Sequence, residues 1–337
     1  MTIEYFQSNA KLLMKIKSAL IALTIIFISA SKALAQDAIF TQWENMPIYL
    51  NPALTGNFDG KVRVRAQYRD QWRSVLKKAS YKSSAISADY KFSNASARKI
   101  SVGAFILRER AGSLDFRDNG FHITSAVIQP LGNPDKAHHA IALGFDVGWA
   151  SKSLKGNAYW PGWPPPPPTY IDEKTSYPDV SAGLLWDYQS NTHFNYQLGT
   201  ALHHINKPNV SFSDTSVSRL YNRFNLHGHV EIPLFPAFSM SPSFLYYSQG
   251  PAEQLAFGLN NRWYLKSLNP NFVQLGIFAK TTKNYYGTDI NVYVLTATAE
   301  INSLLFGFSF DHFDGIDSNA YEFSLGYTFG LPASKDQ

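Results

Sequence analysis

The stretch that decides the fold is YEFSLGYTF, which runs from Tyr321 to Phe329 near the end of the chain. Every second residue from Tyr321 onward is aromatic or aliphatic, whereas the residues between them, from Glu322 onward, are small or polar. A period of two over this length predicts a β-strand whose two faces meet different environments. A helix would mix the two kinds of residue on each of its sides.

The same alternation recurs throughout the chain, most clearly at 141–149, 180–188 and 304–310. In each case large apolar residues occupy one face, and glycine, serine or single carboxylates occupy the other. A soluble β-sandwich would turn a charged face to water, but these minor faces carry few lysines. The pattern is typical of a membrane barrel with an apolar exterior and a crowded, polar interior.

About fourteen such segments lie between residues 61 and 329, and an even number of strands returns both ends of a barrel to the periplasmic side. Short and long connections alternate between them, as expected for periplasmic turns and external loops. The long connections are predicted near 110–119, 151–178 and 207–219. We therefore predict an all-β, transmembrane outer-membrane barrel of antiparallel strands over residues 61–337.

The N-terminus predicts a secretory signal peptide over residues 1–35. A basic stretch at 14–17 precedes an apolar run at 19–28, and Ala33-Leu-Ala35 supplies the small residues of a cleavage site. Because the apolar run is too short to cross a bilayer as a helix, the mature chain is predicted to begin at Gln36. Export and a barrel together predict the outer membrane of a Gram-negative cell.

Composition and charge exclude several classes of function. The chain has no cysteine, which excludes disulfides, thiolate metal sites and cysteine nucleophiles. The formal net charge is +5, but four lysines and one glutamate lie in the signal peptide, so the mature chain carries +2. The basic pI is therefore no indication of nucleic-acid binding.

The first predicted strand has a face of long polar side chains. They are Lys61, Arg63, Arg65, Gln67, Arg69 and Gln71. An arginine on the lipid face costs roughly 2–4 kcal/mol at the middle of a bilayer, so these side chains are predicted to face the lumen. Buried arginines need partners or water. The candidate partners are carbonyl groups of a plug or the lumen carboxylates Asp146, Asp187 and Glu322.

Residues 36–60, which precede that strand, are predicted to plug the lumen. A barrel of about fourteen strands is wider than its own side chains readily fill. This segment is too rich in aromatic and aliphatic residues for a free tail, and turns at Asn51-Pro52 and Thr55-Gly56 would lead it into the first strand. The candidate lumen and plug contacts are Arg63, Arg65, Arg69, Gln71, Asn51, Pro52, Thr55 and Gly56.

One low-complexity stretch, YWPGWPPPPPTY at 159–170, lies within the predicted loop 151–178. Its run of prolines cannot enter a sheet and favours a stiff polyproline II rod. The aromatic residues around the run, Trp160, Trp163 and Tyr170, are candidates for binding a partner outside the cell. The alternative is a variable loop that only shields the rim of the barrel.

No strong catalytic or metal-binding motif is present. Histidines pair at 138–139, 203–204, and 227 with 229, but a metal site needs further ligands that the sequence does not locate. The chain has no GxSxG, no P-loop and no GxGxxG followed by a helix. We therefore predict no catalytic residue, metal or cofactor. A lipid hydrolase with a serine and a histidine remains an alternative, because such sites have no strict local spacing.

Several stretches resemble a known family. QDAIFTQ at 36–42, YLNPALTG at 49–56 and RAQYRDQW at 65–72 are similar to the N-terminal signature of the PorP/SprF family of Bacteroidota type IX secretion systems. AYEFSLGYTF at 320–329 resembles that family's last strand. The likeness covers the mature chain end to end, although the long Pro/Trp stretch at 159–170 is not part of the pattern that we associate with the family.

The resemblance implies an outer-membrane barrel, related to the fatty-acid-transporter-like barrels, that works with type IX secretion and gliding. Family members act with the core machinery or with a large secreted adhesin, whose C-terminal sorting domain they help to export or hold at the surface. We therefore expect a non-enzymatic protein whose partners are outer-membrane lipid, secretion components and/or such an adhesin. The alternative is a passive channel or a hydrophobic-solute transporter.

Overall fold

Fourteen antiparallel strands form a closed barrel in which each strand pairs with its neighbours in sequence and β1 pairs with β14. The strands are β1 (Val62–Gln71), β2 (Tyr81–Lys91), β3 (Lys99–Ala111), β4 (Phe116–Leu131), β5 (Ala137–Ala158), β6 (Thr169–Ser190), β7 (Asn195–His203), β8 (Arg223–Phe235), β9 (Phe238–Gln249), β10 (Ala252–Tyr264), β11 (Phe272–Lys283), β12 (Asp289–Ile301), β13 (Leu304–Phe313) and β14 (Asn319–Phe329).

This computed structural model describes residues 37–92, 99–131, 137–159, 167–190, 194–265, 271–283 and 288–330. The predicted signal peptide, Trp160 and Trp163 lie outside the described residues. Ala38 and the described residues that follow it belong to one structural unit.

The wall has an apolar exterior and a polar interior. In β14, Tyr321 and Phe323 are exposed on the outside, whereas Glu322 between them is fully buried on the inside. In β1, Arg63 and Arg69 are buried on the inner face. A closed sheet with large apolar side chains on its outer surface belongs in lipid. The predicted fold class, an outer-membrane barrel of about fourteen strands, is confirmed.

Short helical turns occupy parts of the chain before and between the first strands. They are Trp43–Asn45, Pro47–Leu50, Pro52–Leu54, Arg73–Leu76 and Lys77–Ala79. Within the described ranges, none of the helices is long and apolar enough to cross a membrane.

The structure differs from the prediction at two of the three long connections. Between β3 and β4 only residues 112–115 lie outside the strands, and most of 151–178 is a hairpin formed by β5 and β6. The ladder of this hairpin continues to Ala158 opposite Thr169, past the last β4–β5 pair at Ser153. Outside the bilayer neither face of a strand meets lipid, so the hydrophobic alternation stops while backbone hydrogen bonding continues.

We call residues 154–159 and 167–173 the hairpin tip. The third long connection, between β7 and β8, packs against the hairpin below this tip. Leu220 and Val210 of the connection join Ala150 and Tyr177 of the hairpin in a small apolar cluster. The connection thus supports the base of the hairpin on its β7 side.

Candidate functional site

The segment Ala38–Gly56, which we call the lead-in, lies inside the barrel and contacts the inner faces of many strands. Met46 and Ile48 are each 1% exposed, and Asn51 and Thr55 are fully buried. The short turns bury these apolar side chains while the wall supplies partners for the polar groups, because a buried backbone needs hydrogen bonds. This segment and its partners are the candidate functional site.

The start of the lead-in is held by a carboxylate on the last strand. Both oxygens of Glu322 accept backbone N–H groups, from Thr41 at 2.7 Å and from Gln42 at 2.7 Å. The side-chain amide of Gln67 donates to the same carboxylate at 2.5 Å and to the carbonyl oxygen of Gln42 at 3.1 Å. Two adjacent backbone N–H groups are therefore fixed by one fully buried acid.

The Thr41 hydroxyl lies between two cations and a second carboxylate. It accepts from Nη1 of Arg69 at 2.6 Å and from Nζ of Lys280 at 2.7 Å, and it donates to Oδ2 of Asp311 at 2.7 Å. Arg69 and Lys280 also form ion pairs with Asp311, at 2.8 and 2.7 Å. Arg69 reaches Glu322 as well, at 3.4 Å. A single threonine of the lead-in thus completes a buried network of wall charges.

The charges of this network balance, since two cations face two carboxylates. Isolated charges in such an interior would be very costly, and a balanced, hydrogen-bonded set reduces that cost. Loss of any one member leaves the others buried without compensation. We call Arg69, Lys280, Asp311 and Glu322 the charge cluster.

Arg63 holds the other end of the lead-in. Its guanidinium forms a salt bridge with Asp89 at 2.7 Å and donates to the carbonyl oxygen of Leu54 at 3.0 Å. The same carboxylate accepts the backbone N–H of Gly56 at 2.8 Å. Because Arg63 and Asp89 are directly opposite on β1 and β2, strand pairing itself brings them together.

The remaining polar residues of β1 have different surroundings. Gln71 accepts from the Arg69 guanidinium through its side-chain oxygen, at 3.2 Å from Nη2. Arg65 is also buried, but its guanidinium donates only to the carbonyl oxygen of Val64, at 3.1 Å, among the residues that the structure describes. Arg69 and Arg65 therefore share a strand face but not an environment.

Three carboxylates were candidate partners of the β1 arginines, and among the described residues only one of them pairs with an arginine. Glu322 is a partner of Arg69. Asp146 instead pairs with His122 at 3.0 Å, and the Asp187 carboxylate accepts from Gln197 at 2.7 Å. Sequence reasoning missed Asp89 and Asp311 as partners. Asp89 could have been found, because a hairpin between the first two strands places it opposite Arg63.

Three glycines form a seat for the middle of the lead-in. Gly144 and Gly183 are opposite on β5 and β6, and Gly199 lies on β7. A Cβ atom at Gly183 would lie 1.9 Å from Oδ1 of Asn51, and one at Gly144 would lie 2.1 Å from the backbone nitrogen of Ala53. At Gly199 it would lie 2.9 Å from Nδ2 of Asn51. Only glycine permits this close approach.

Asn51 links the lead-in to strands on this side. Its Nδ2 group lies 3.1 Å from the carbonyl oxygen of Leu184 on β6 and 3.2 Å from that of Thr200 on β7. It also lies 3.1 Å from Nε2 of His227 on β8. Its own Oδ1 accepts the N–H of Ala53 at 2.9 Å, which starts the turn Pro52–Leu54.

The residues that flank Asn51 are also tied to the wall. The Leu50 carbonyl oxygen accepts from Asn225 at 2.8 Å, and the Tyr49 hydroxyl accepts from Arg223 at 2.7 Å. Pro52 is buried, and its carbonyl oxygen accepts from the Thr55 hydroxyl at 2.7 Å. Of the predicted contacts, Asn51, Pro52, Thr55, Gly56, Arg63 and Arg69 therefore come together around the lead-in, whereas Arg65 has no hydrogen bond to it.

The lumen also contains a histidine–carboxylate pair, His122 with Asp146. His122 bonds Asp146 through Nδ1 and stacks on Phe105 with ring centroids 4.4 Å apart. A hydrolase would need a hydroxyl at the second ring nitrogen. Among the described residues none is hydrogen-bonded there.

Of the residues predicted to bind a partner outside the cell, the structure describes Tyr170, which lies on the hairpin tip. Tyr170 is in β6 and is 60% exposed, and Tyr159, which follows β5, is 77% exposed. Both side chains are exposed to solvent. Tyrosine is a common residue of protein-binding surfaces.

The barrel is similar in fold to solved outer-membrane proteins. It matches the CymD monoaromatic hydrocarbon channel with a TM-score of 0.54 and 9% sequence identity, over 87% of this chain and 94% of that one. It matches the deltaS2 mutant of the TodX monoaromatic hydrocarbon channel with a TM-score of 0.54 and 10% identity, over 86% and 94% of the two chains. At such low identity the likeness shows the fold alone. No curated protein sequence matches this chain.

A family model shows more than these fold matches. The model of the type IX secretion system membrane protein PorP/SprF matches residues 33–335, which is nearly the whole chain. The match includes the lead-in, the arginine face of β1 and the final strand. The chain therefore belongs to the PorP/SprF family of type IX secretion system membrane proteins.

Proposed function

We propose that this protein is a non-enzymatic partner of type IX secretion in the outer membrane, and that it helps to export a secreted adhesin-like cargo or holds it at the cell surface. Family membership supports a role in secretion. The observation that carries the finer proposal is the β5–β6 hairpin, whose two strands of 22 residues each outreach the other strands.

The shape of the hairpin suits docking. A membrane-spanning β-strand needs only about 9–11 residues, so roughly half of each strand stands outside the bilayer. Tyr159 and Tyr170 project from this part, together with the exposed ion pair between Lys155 and Asp172. Exposed aromatic side chains on a rigid hairpin can bind a partner without reorganising the barrel.

The occupied lumen also favours a role as a partner protein over a role as a channel. The lead-in is bonded to the charge cluster on one side of the barrel and to the glycine seat on the other. A segment fixed at both places leaves the outer surface as the accessible part of the molecule.

The experiment that tests the proposal shortens the hairpin without disturbing the barrel. Residues 155–172 are replaced by Asn-Gly, which closes a two-residue turn between Leu154 and Glu173, two residues that are already opposite each other. We expect the barrel to assemble normally and a type IX cargo to disappear from the cell surface, either released into the medium or retained inside. Surface labelling and immunoblotting of cell and medium fractions measure this.

A matched control changes an exposed apolar residue elsewhere on the outer side. Val217 is 67% exposed in the connection between β7 and β8, and Val217→Ser should leave cargo display unchanged. Normal cargo display in the shortened variant, with the barrel present at wild-type level, would overturn the docking role of the hairpin.

The second candidate is a passive channel or a hydrophobic-solute transporter, since two similar folds are named as monoaromatic hydrocarbon channels. This candidate predicts conductance in planar bilayers or uptake of an apolar solute by the full mature chain. If the protein is instead a partner in secretion, we expect neither conductance nor solute uptake by the full mature chain. Conductance should then appear only after residues 38–56 are deleted. The two measurements separate the candidates without knowledge of the cargo.

A further inference from the structure

A shallow groove runs across the outer, lipid-facing wall at the seam where the barrel closes. Its volume is about 880 Å³, and it crosses strands β3, β2, β1, β14, β13, β12 and β11. Most of its lining residues point outward from these strands and therefore meet lipid. Its floor also includes residues of the inner face of the wall, which are Gln67, Ala85, Thr298, Gly307 and Ser324.

Two neighbouring rows of residues line this groove along the direction of strand pairing. The first row is Arg108, Ser84, Tyr68, Phe323, Phe308 and Ala297. The second row is Ile106, Ile86, Ala66, Leu325, Phe306, Ala299 and Val273. Small residues interrupt both rows, so the wall is thinner there than at the flanking aromatic side chains. The depression therefore lies at Ser84 on β2 and Ala66 on β1, and again at Ala297 and Ala299 on β12.

The two ends of the groove lie at different depths in the membrane. Arg108 is three residues before the external end of β3, and Val273 is the second residue of β11, at its periplasmic end. The rows descend because the strands of such barrels are tilted by about 35–45°. The groove therefore leads from the outer leaflet downwards.

Arg108 is the single charged side chain among the described lining residues, and it is exposed. Its guanidinium has no ion pair or hydrogen bond to any residue that the structure describes. The neighbouring cations differ, since Arg110 and Arg117 both pair with Asp115 and Arg73 pairs with Asp70. An arginine that faces lipid without a partner needs an anion from outside the chain.

We propose that this groove binds a lipid of the outer leaflet that carries phosphate and several acyl chains, with its phosphate on Arg108 and its chains along the two rows. The planar guanidinium matches the geometry of phosphate oxygens, and most of the remaining lining is apolar, as acyl chains require. A second barrel is a poor occupant, because its convex wall does not fill a depression, whereas flexible acyl chains do.

The test measures binding of purified, diphosphorylated lipid A to the full mature barrel by native mass spectrometry from detergent micelles. Arg108→Gln should weaken binding about tenfold, because a charge-assisted contact to phosphate is lost. Arg108→Lys should retain most of it. Ala297→Leu, which fills the groove, should also weaken binding while it leaves the charge in place.

Matched controls lie away from the groove. Ala182 faces outward on β6, opposite Phe145 of β5, and Ala182→Leu should leave binding unchanged. Arg219→Gln removes an exposed cation of the β7–β8 connection and should also have no effect. Heat-modifiable migration on gels shows that each variant has formed a barrel.

Three results would overturn the proposal. The first is equal binding of lipid A to the wild type, Arg108→Gln and Ala297→Leu. The second is binding of dephosphorylated lipid A to the wild type that equals the binding of diphosphorylated lipid A. The third is a protein adduct, instead of a lipid adduct, when a photo-crosslinking residue replaces Phe306 in the membrane. The first two results are obtained on the purified protein and therefore do not depend on a role in secretion.

Discussion

The lead-in and the hairpin tip both lie outside the regular wall, but they are stabilised in opposite ways. The lead-in is held by side chains of the wall, such as Glu322 and Asn225, that bond its backbone. The hairpin tip is held by its own strand ladder, by one exposed ion pair, Lys155–Asp172, and by a hydrogen bond of 2.9 Å from the backbone N–H of Lys155 to the carbonyl oxygen of Leu114 in the β3–β4 turn. One region is an interior part of the barrel, and the other is an extension of it.

Because of this difference, we expect substitutions in the lead-in to change mainly the stability of the barrel and substitutions in the hairpin tip to change mainly the binding of a partner. A change in the lead-in or its partners disturbs buried charges and close packing, so it should affect the whole barrel. A change in the hairpin tip disturbs groups that already meet water, so it should affect only what binds there. The predictions below test whether the two regions are as independent as this comparison requires.

The largest effect is expected from Arg69→Gln, which removes one member of the charge cluster. Asp311 and Glu322 then remain buried with Lys280 alone, and breaking a buried ion pair typically costs about 3–5 kcal/mol. We expect the unfolding midpoint in urea to fall and amide exchange of residues 38–56 to increase. Tryptophan fluorescence and hydrogen-exchange mass spectrometry measure the two effects.

The matched control is Arg65→Gln, because Arg65 lies on the same strand face and bonds only the Val64 carbonyl oxygen. It should cost much less than Arg69→Gln. Equal effects of the two substitutions would mean that burial of an arginine, and not the attachment of the lead-in, determines stability.

An intermediate effect is expected from Gly183→Ala. The new Cβ atom would lie 1.9 Å from Oδ1 of Asn51, and overpacking of this kind typically costs about 1–3 kcal/mol. Faster amide exchange at residues 51–55 would report the displacement. In the double variant with Asn51→Ala the clash with Oδ1 is gone, so the effect of Gly183→Ala should be smaller. Strictly additive effects of the two substitutions would contradict a direct contact between positions 183 and 51.

A small effect on stability is expected from Tyr159→Ser combined with Tyr170→Ser at the hairpin tip. Both side chains are exposed, and substitutions at such positions usually change stability by less than about 0.5 kcal/mol. Retention of cargo at the surface should nevertheless decrease. A large fall of the unfolding midpoint would show that the tip is coupled to the barrel after all.

The smallest effect is expected at Asp115, in the turn between β3 and β4. The hydrogen bond from Arg117, with help from Arg110, holds the pKa of this carboxyl below its ordinary value of 3.8. A lowered pKa stabilises the folded state above the ordinary value, and that contribution is lost as the pH falls through the lowered pKa. Because the pair is exposed, the contribution is small.

Asp115→Asn tests this contribution. The variant should unfold slightly more easily than the wild type at neutral pH, and the difference should disappear well below pH 3.8. A difference that persists in acid would assign the effect to turn geometry instead of charge, since Asp115 has a positive φ of 44°.

Much of the wall could be predicted from sequence because lipid imposes a period of two on each strand. YEFSLGYTF lies entirely within strand β14, which begins two residues earlier at Asn319. The arginines of β1 are buried on its inner face, as the cost of arginine in lipid requires. The same reasoning failed at residues 151–158 and 169–178, where water on both sides removes the alternation although the ladder continues.

The site was harder to predict because it depends on distances between strands far apart in the chain. The approach of Gly183 and Gly199 to Asn51, and of Gly144 to Ala53, requires the register of three strands and the path of the lead-in. Likewise, nothing local links Asp311 to Thr41, which are 270 residues apart. Single glycines on the minor face of adjacent strands were the available signal, since each marks a place where another backbone can come close.

The path of the lead-in has a mechanical consequence. Thr41 is bonded to β13 and β14, and Asn51, ten residues later, is bonded to β6 and β7 on the far side of the ring. The segment therefore acts as an internal tie rod that fixes the spacing of opposite walls. A barrel braced in this way resists flattening by lateral pressure of the bilayer, so forces on the external hairpin pass into a cross-section that keeps its shape.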